Sequence, residues 1–289
     1  MARLATGRVY AYVARDAIVV GAIGKPAEPA ARAPVFVTLP GRRIGIVLGA
    51  AEWHIPGAEL PALDMQAEIP RLLGELSGPK RLEQEAASDL EELGLALLEP
   101  LRGVVARIHR KLELGPDEPV FELVLVGYTT GYGPEVWSLR YRVAQDFLRD
   151  DFWRTRILRP MYIQHYPPEK GQPRTLVETR HPAADAEPTL LELLGKGDPR
   201  VAGLRADPRI ARALALLEKG ESHKALGADA AELMRAALRA IAPPESQPVV
   251  GLISEQRGLT WIIPPPEPIE KAEDEKREPG APTLRKRPL

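Results

Sequence analysis

The sequence predicts an α+β fold, a four-layer α-β-β-α sandwich of two antiparallel sheets flanked by helix pairs. Three observations predict it. Short runs rich in β-branched residues come in hairpin pairs at the start, middle and end of the chain. Segments with helical periodicity separate those pairs. The resulting order is four strands, two helices, two strands, two helices and two strands, which buries one helix pair on each outer face of two stacked sheets.

The first pair is 8–14 and 17–23, VYAYVA and AIVVGAI in essence, joined at Arg15-Asp16 without the glycine such turns usually carry. A Pro/Ala connection, GKPAEPAARAP, leads to a second pair at 35–39 and 43–49 around Pro40-Gly41. From Leu63 the period becomes helical. One helix carries Met65, Ile69, Leu72, Leu73 and Leu76. A second, past Gly78-Pro79, carries Leu90, Leu93, Leu97, Leu98, Leu101, Val105 and Ile108. Pro100 is expected to kink or split that second helix, because it removes a donor and clashes with the preceding turn.

FELVLV at 121–126 has apolar residues on both faces, as a strand covered on both sides requires. Residues 127–133, GYTTGYG, supply the turn. Residues 135–143 return with Val136, Ser138, Arg140 and Arg142 alternating against Trp137, Leu139, Tyr141 and Val143, the pattern of a half-exposed strand. Residues 144–207 are expected to be an irregular insertion or flap, since Pro160, Pro167, Pro168, Pro173 and Pro182 interrupt its aromatic residues. Helices follow at 208–217 and 229–241, the latter with Asp229 as N-cap. A last hairpin covers 249–254 and 259–263. The domain is thus 1–263, and 264–289 is a Pro- and charge-rich tail with too little apolar surface to fold.

Composition narrows the function classes. With 39 basic and 40 acidic residues mixed along 289, no field of one sign argues for nucleic acid or an anionic membrane as partner. The absence of cysteine excludes disulfides, thiolate nucleophiles and Cys-ligated metals. No apolar run approaches the roughly 20 residues of a membrane helix, and the N-terminus lacks a signal peptide's pattern, so a cytoplasmic protein is expected.

His54, His109, His165, His181 and His223 stand apart, with no spacing that pairs two on one helix face as metal ligands. Glu52 and His54 follow a strand end on one side, a possible acid/base pair set against an ordinary capping or solvent-facing role. GYTTGYG has no Lys-Ser or Lys-Thr helix after it and reads as a hairpin turn, not a phosphate loop. Arg140 and Arg142 share a strand face that is expected to meet solvent, and Arg285-Lys286-Arg287 is expected to be solvated. No cofactor or metal site is expected.

The stretches RVYAYVARDAIVVGA, RIGIVLGAAEW, FELVLVGYTTGYGPEVWSL, ADAAELMRAALRAI and VVGLISEQRGLTW, in that order, resemble the proteasome-like subunits of the N-terminal-nucleophile (Ntn) hydrolase fold over about residues 5–263 apart from the insertion. The resemblance implies a threonine nucleophile freed at the start of the first strand, whose own amine is the base. Thr6 is the residue that matches. It also implies an Asp at the end of the second strand and a Lys on the third, where this chain reads VVGAIG and APVFVTL, and a Gly before the nucleophile, where it has Ala5. The resulting expectation is a homo-oligomer, or an assembly with related subunits, of structural or regulatory role. Two alternatives stand beside it: a Thr6-dependent peptidase or amidohydrolase, and a monomeric binding module on the same scaffold. The tail is a possible segment for a protein partner.

Overall fold

The computed structural model describes residues 3–4, 7–24, 36–38, 44–48, 52–54, 63–64, 68, 71–72, 90–108, 119–129, 133–149, 152–168, 176–179, 189–195, 198–244, 246 and 248–264. It is a mixed α+β structure with two large antiparallel sheets. The expected tail, from residue 265 onward, lies outside the described residues.

A two-residue strand β1 (Arg3–Leu4) precedes the hairpin of β2 (Gly7–Val13) and β3 (Ile18–Gly24), which pair from Gly7 opposite Gly24 to Val13 opposite Ile18. Its turn closes with Ala14 N–H donating to Ala17 O at 2.8 Å. The second pair, β4 (Phe36–Thr38) and β5 (Ile44–Leu48), enters the other sheet. Then come β6 (Glu52–His54) and β7 (Leu63–Asp64), which form a small three-stranded sheet with β1 in the order β1-β6-β7. Seven strands therefore precede the first helical residue described, not four. Leu63 is a strand residue opposite Trp53 instead of the first turn of a helix. Of the expected first helix, Glu68, Arg71 and Leu72 are described and are helical.

Helix α1 (Leu90–Ile108) runs through Pro100 as one element. It buries Leu90, Leu93, Leu97, Leu101 and Val105 of the expected stripe, with Leu98 half-buried and Val104 buried in addition. The central hairpin follows as β8 (Pro119–Thr129) and β9 (Gly133–Arg149). Gly127, Tyr128 and Thr129, expected in the turn, stay in the ladder opposite Glu135, Pro134 and Gly133. A ladder uses only backbone groups, so Gly127 does not interrupt it, while the buried Tyr128 ring anchors the extension. Gly133, at φ 86°, makes the left-handed step that re-enters the sheet.

The stretch expected to be irregular contains the last third of β9, then β10 (Phe152–Ile157), β11 (Met161–Tyr166), β12 (Leu176–Thr179) and α2 (Leu190–Gly195). The described prolines punctuate the strands without entering them: Pro160 separates β10 from β11, and Pro167 and Pro168 follow β11. A 3₁₀ turn, Ala202–Ala206, leads to α3 (Pro208–Glu218). Pro208 occupies the first turn and the Asp207 carboxylate accepts from Arg209 N at 2.8 Å and Ile210 N at 3.4 Å. Helix α4 (Gly227–Ile241) begins before Asp229, whose expected N-cap role falls instead to the backbone position of Leu226. Asp229 lies buried in the first turn with Arg212 Nε 3.4 Å away. The chain ends its described part in β13 (Pro248–Ser254) and β14 (Gly258–Ile263).

The sheets are five-stranded, β12-β2-β3-β13-β14, and six-stranded, β10-β9-β8-β5-β4 with β11 also on β9. Strand alternation gives the five-stranded sheet two apolar faces. Tyr10, Tyr12, Val19 and Val250 pack with Leu190, Leu214, Leu217, Leu233, Met234 and Leu238 of α2, α3 and α4. Val9, Ala11, Val13, Ile18, Val20 and Ala22 pack with Val124, Val126, Tyr128 and Val136 of the other sheet. α4 sits so close that a Cβ on Gly21 would stand 2.7 Å from Leu238 Cδ1. On the far side of the six-stranded sheet α1 contacts β8 and β9, and the Tyr141 hydroxyl donates to Leu98 O. Leu123 through Val126 are buried, as predicted. The half-exposed reading of β9 is corrected: Val136 and Ser138 are both fully buried, because the five-stranded sheet covers the face expected to meet water.

Candidate functional site

Thr6 lies outside the described residues, but the chain on both sides of it is placed. Arg3 and Leu4 pair with His54 and Trp53 of β6, and Gly7 opens β2 opposite Gly24. Two of the residues that would have to be removed to free Thr6 are thus partners in a strand ladder. Where the resemblance calls for a carboxylate, at the end of the second strand, β3 closes with Ala22, Ile23 and Gly24. The described part of the third long strand, Phe36–Thr38, has no lysine. Glu52 and His54 occupy alternate positions of β6, and Asp64 stands opposite Glu52 in the register.

A Ser–His contact that the sequence did not announce forms inside the six-stranded sheet. Ser138 Oγ on β9 lies 2.8 Å from His165 Nε2 on β11. Ile163 is opposite Ser138 and Tyr166 is opposite Val136, so the ladder slips between Gln164 and Tyr166 and His165 is the extra residue. That bulge carries the imidazole to the serine. Either tautomer satisfies the bond, the ring N–H donating to Oγ or the hydroxyl donating to Nε2. Nucleophilic serine chemistry also needs an approach for the electrophile and a group that orients the base. Ser138 is fully buried between the sheets. The nearest carboxylate in β9, Glu135, points to the other face, where its Oε2 accepts from Trp137 Nε1 at 3.3 Å. Ser138 and His165 thus share a hydrogen bond inside the sheet. Sequence reading missed it because the signal, His165 in a strand, was hidden in a stretch read as irregular.

Beyond Ser138 on the same face come Arg140 and Arg142, both half-buried. The expectation that they simply meet solvent is corrected: their Nε atoms are shielded, since the face they share continues the inter-sheet layer. At the opposite end of that layer Tyr128 is buried, and burial pushes its phenol above the ordinary value, with Asp16 and Glu255 adding to the shift. There Asp16 Oδ1 accepts from Gly227 N at 2.7 Å.

Of the histidines, His223 sits half-buried in a 3₁₀ turn, Ser222–Lys224, while His109 and His181 lie outside the described residues, as does the Arg285–Arg287 stretch. Among the described residues no group of three or more His, Asp or Glu is placed to hold a metal ion. No described helix is long and apolar enough to cross a membrane. No protein-family model matches the chain, and no curated protein shows significant similarity to it.

Proposed function

We propose that the chain is a non-catalytic, assembly-forming protein on the proteasome-like variant of the Ntn-hydrolase sandwich. The contact order supports the fold reading: α2 to α4 cover one face of the five-stranded sheet, its other face meets the six-stranded sheet, and α1 covers the far side. The first hairpin enters one sheet and the second hairpin the other, as two stacked sheets require.

The observation that carries the functional reading is the Gly7–Gly24 pair. A threonine hydroxyl becomes a nucleophile only when a base removes its proton, and in this fold a free amine supported by neighbouring charges does so. Beside Thr6 the two glycines bring no ionisable side chain, and Arg3–Leu4 are held in a ladder upstream. Assembly is inferred from the resemblance. Leu95 and Leu191 are exposed on the two outer helix layers, and scattered exposures of this kind are also ordinary on monomers.

Native mass spectrometry with intact-mass analysis of the purified full chain tests the reading. The expected result is an oligomer whose subunits keep the residues before Thr6, apart from Met1 removal, and that turns over no fluorogenic peptide. A mature chain beginning at Thr6, with peptide turnover that Thr6→Ala abolishes, establishes the peptidase instead. An unprocessed monomer overturns the assembly and favours a binding module.

A further inference from the structure

We propose that the Tyr128 hydroxyl and the Asp16 carboxylate, with Glu255 beside them, form a binding site for a ligand's ammonium group, as carried by a free amine or a lysine side chain. The strand ladders bring these residues to one end of the sandwich. Ile253 stands opposite Ile18, so the turn after β13, which holds Glu255, lies next to the turn between β2 and β3, which holds Asp16. Tyr128, the last residue but one of β8, belongs to the buried cluster that contains Val13, Ile18 and Ile253, the residues that lead into those turns.

Tyr128 is 8% exposed, and its hydroxyl, shielded from solvent, has no hydrogen-bond partner. Tyr12 and Tyr141, buried as well, each donate to a main-chain carbonyl, of Ala213 and Leu98. An unpaired buried hydroxyl is costly, so this one calls for a partner from outside the chain. Charge selects the kind. Burial first, then Asp16, Glu255 and Tyr166, hold the phenol above its ordinary value, so it stays a neutral hydroxyl whose oxygen can accept. Arg15 and Arg257 share the two turns, yet the charges that act on the hydroxyl are all negative. Asp16 gives Oδ1 to the chain, 2.7 Å from Gly227 N, which leaves Oδ2 for an incoming donor. Asp16 and Glu255 are both exposed, so a ligand meets the carboxylates first. An ammonium carries three donors, enough to bridge Asp16 Oδ2 and the phenol oxygen, whereas an anion would meet like charge. The site depends neither on Thr6 nor on assembly.

Thermal denaturation and isothermal titration of the full chain with butylammonium chloride, and separately with N-acetyl-lysine amide, read the proposal. The control is tetramethylammonium chloride at the same ionic strength, which has the charge without the N–H donors. Either amine is expected to raise Tm above that control. Tighter binding of the lysine derivative assigns the site to a peptide's side chain, and tighter binding of butylammonium to a free amine. Tyr128→Phe keeps the ring and removes only the oxygen. Without amine it should melt at or above the parent, because an unpaired polar atom has left a buried position, and with amine its affinity should fall about tenfold. Asp16→Asn, which keeps an acceptor for Gly227 N, should weaken binding several-fold, while Tyr12→Phe should lower Tm and leave the affinity unchanged. A Tyr128→Phe chain that melts below the parent without amine shows that the hydroxyl already has a partner and overturns the site. So do amines that act no more strongly than tetramethylammonium, or magnesium chloride that stabilises more than either amine.

Discussion

The Tyr162 ring lies flat on the Trp137 indole, with centroids 4.7 Å apart and 17° between planes, and its hydroxyl donates to Leu90 O at 2.6 Å. One residue of edge strand β11 thereby ties β9 to the first turn of α1. Gly94 makes the arrangement possible, because a Cβ there would overlap the Tyr162 ring.

Gly94→Ala is accordingly expected to lower stability by about 1–3 kcal/mol through overpacking, and Tyr162→Phe by about 1 kcal/mol through the lost hydrogen bond. Urea denaturation measures both. The cause is isolated by adding Gly94→Ala to Tyr162→Ala: with no ring to strike, the alanine should cost little or become favourable. Equal penalties with and without the ring would rule out the steric account.

Leu125 is fully buried in the central strand, opposite Trp137 on β9. Leu125→Asp places an unpaired carboxylate there at several kcal/mol, against a total stability of about 5–15 kcal/mol. The variant should be unfolded or molten by near-UV circular dichroism at 25 °C. A parent-like melting curve would contradict the strand's burial.

The central strand was legible because covering on both faces leaves a run of apolar residues that no solvated element would carry. The hairpins at 7–24 and 248–263 were legible for a related reason, their short β-branched runs. β10, β11 and β12 were not, since strands of four to six residues between prolines lose their alternation in the signal for loops. Asp229 shows a further limit: it has the chemistry of an N-cap, but the carboxylate at that helix end comes from Asp16, 211 residues away in sequence. The Ser138–His165 contact depends on a register slip, which no local pattern announces. Thr6 stood out only through the family resemblance, and its neighbour in sequence, Gly7, pairs with Gly24, so neither position carries a side chain.

Asp198 accepts from Arg200 three ways: Oδ1 from the backbone N at 2.9 Å and from Nε at 3.0 Å, and Oδ2 from a terminal nitrogen at 2.8 Å. The Arg200 side-chain bonds, then the backbone bond, lower the carboxyl from 3.8 to about 2. A depressed folded value means that the contribution to stability is fully present above the ordinary value and is lost as pH falls through about 2. Asp198→Asn should therefore melt below the parent at pH 6, with the gap closing between about pH 4 and pH 2. A gap that stays constant over that range would assign the effect to something other than this ionisation.

The turn between β2 and β3 is fastened to the start of α4 by three bonds from separate positions. Asp16 Oδ1 accepts from Gly227 N at 2.7 Å, Arg15 N donates to Ala225 O at 2.8 Å, and Ser222 Oγ donates to Val13 O at 2.9 Å. Leu226, the N-cap, has no side chain able to satisfy the free amides of the first turn, so Asp16 takes over that role with a charge that also suits the positive end of the helix. Asp16→Ala should lower stability by about 0.5–2 kcal/mol, the range for a lost N-cap, and Asp16→Asn by less because an acceptor remains. Gly227→Ala should be destabilising as well, since the new Cβ would stand 2.7 Å from Ala17 Cβ. Hydrogen exchange at the Gly227 amide separates this local cause from a general loss. In Asp16→Ala its protection should fall by more than the global change accounts for, and protection falling only in step with global stability would remove Asp16 from the cap.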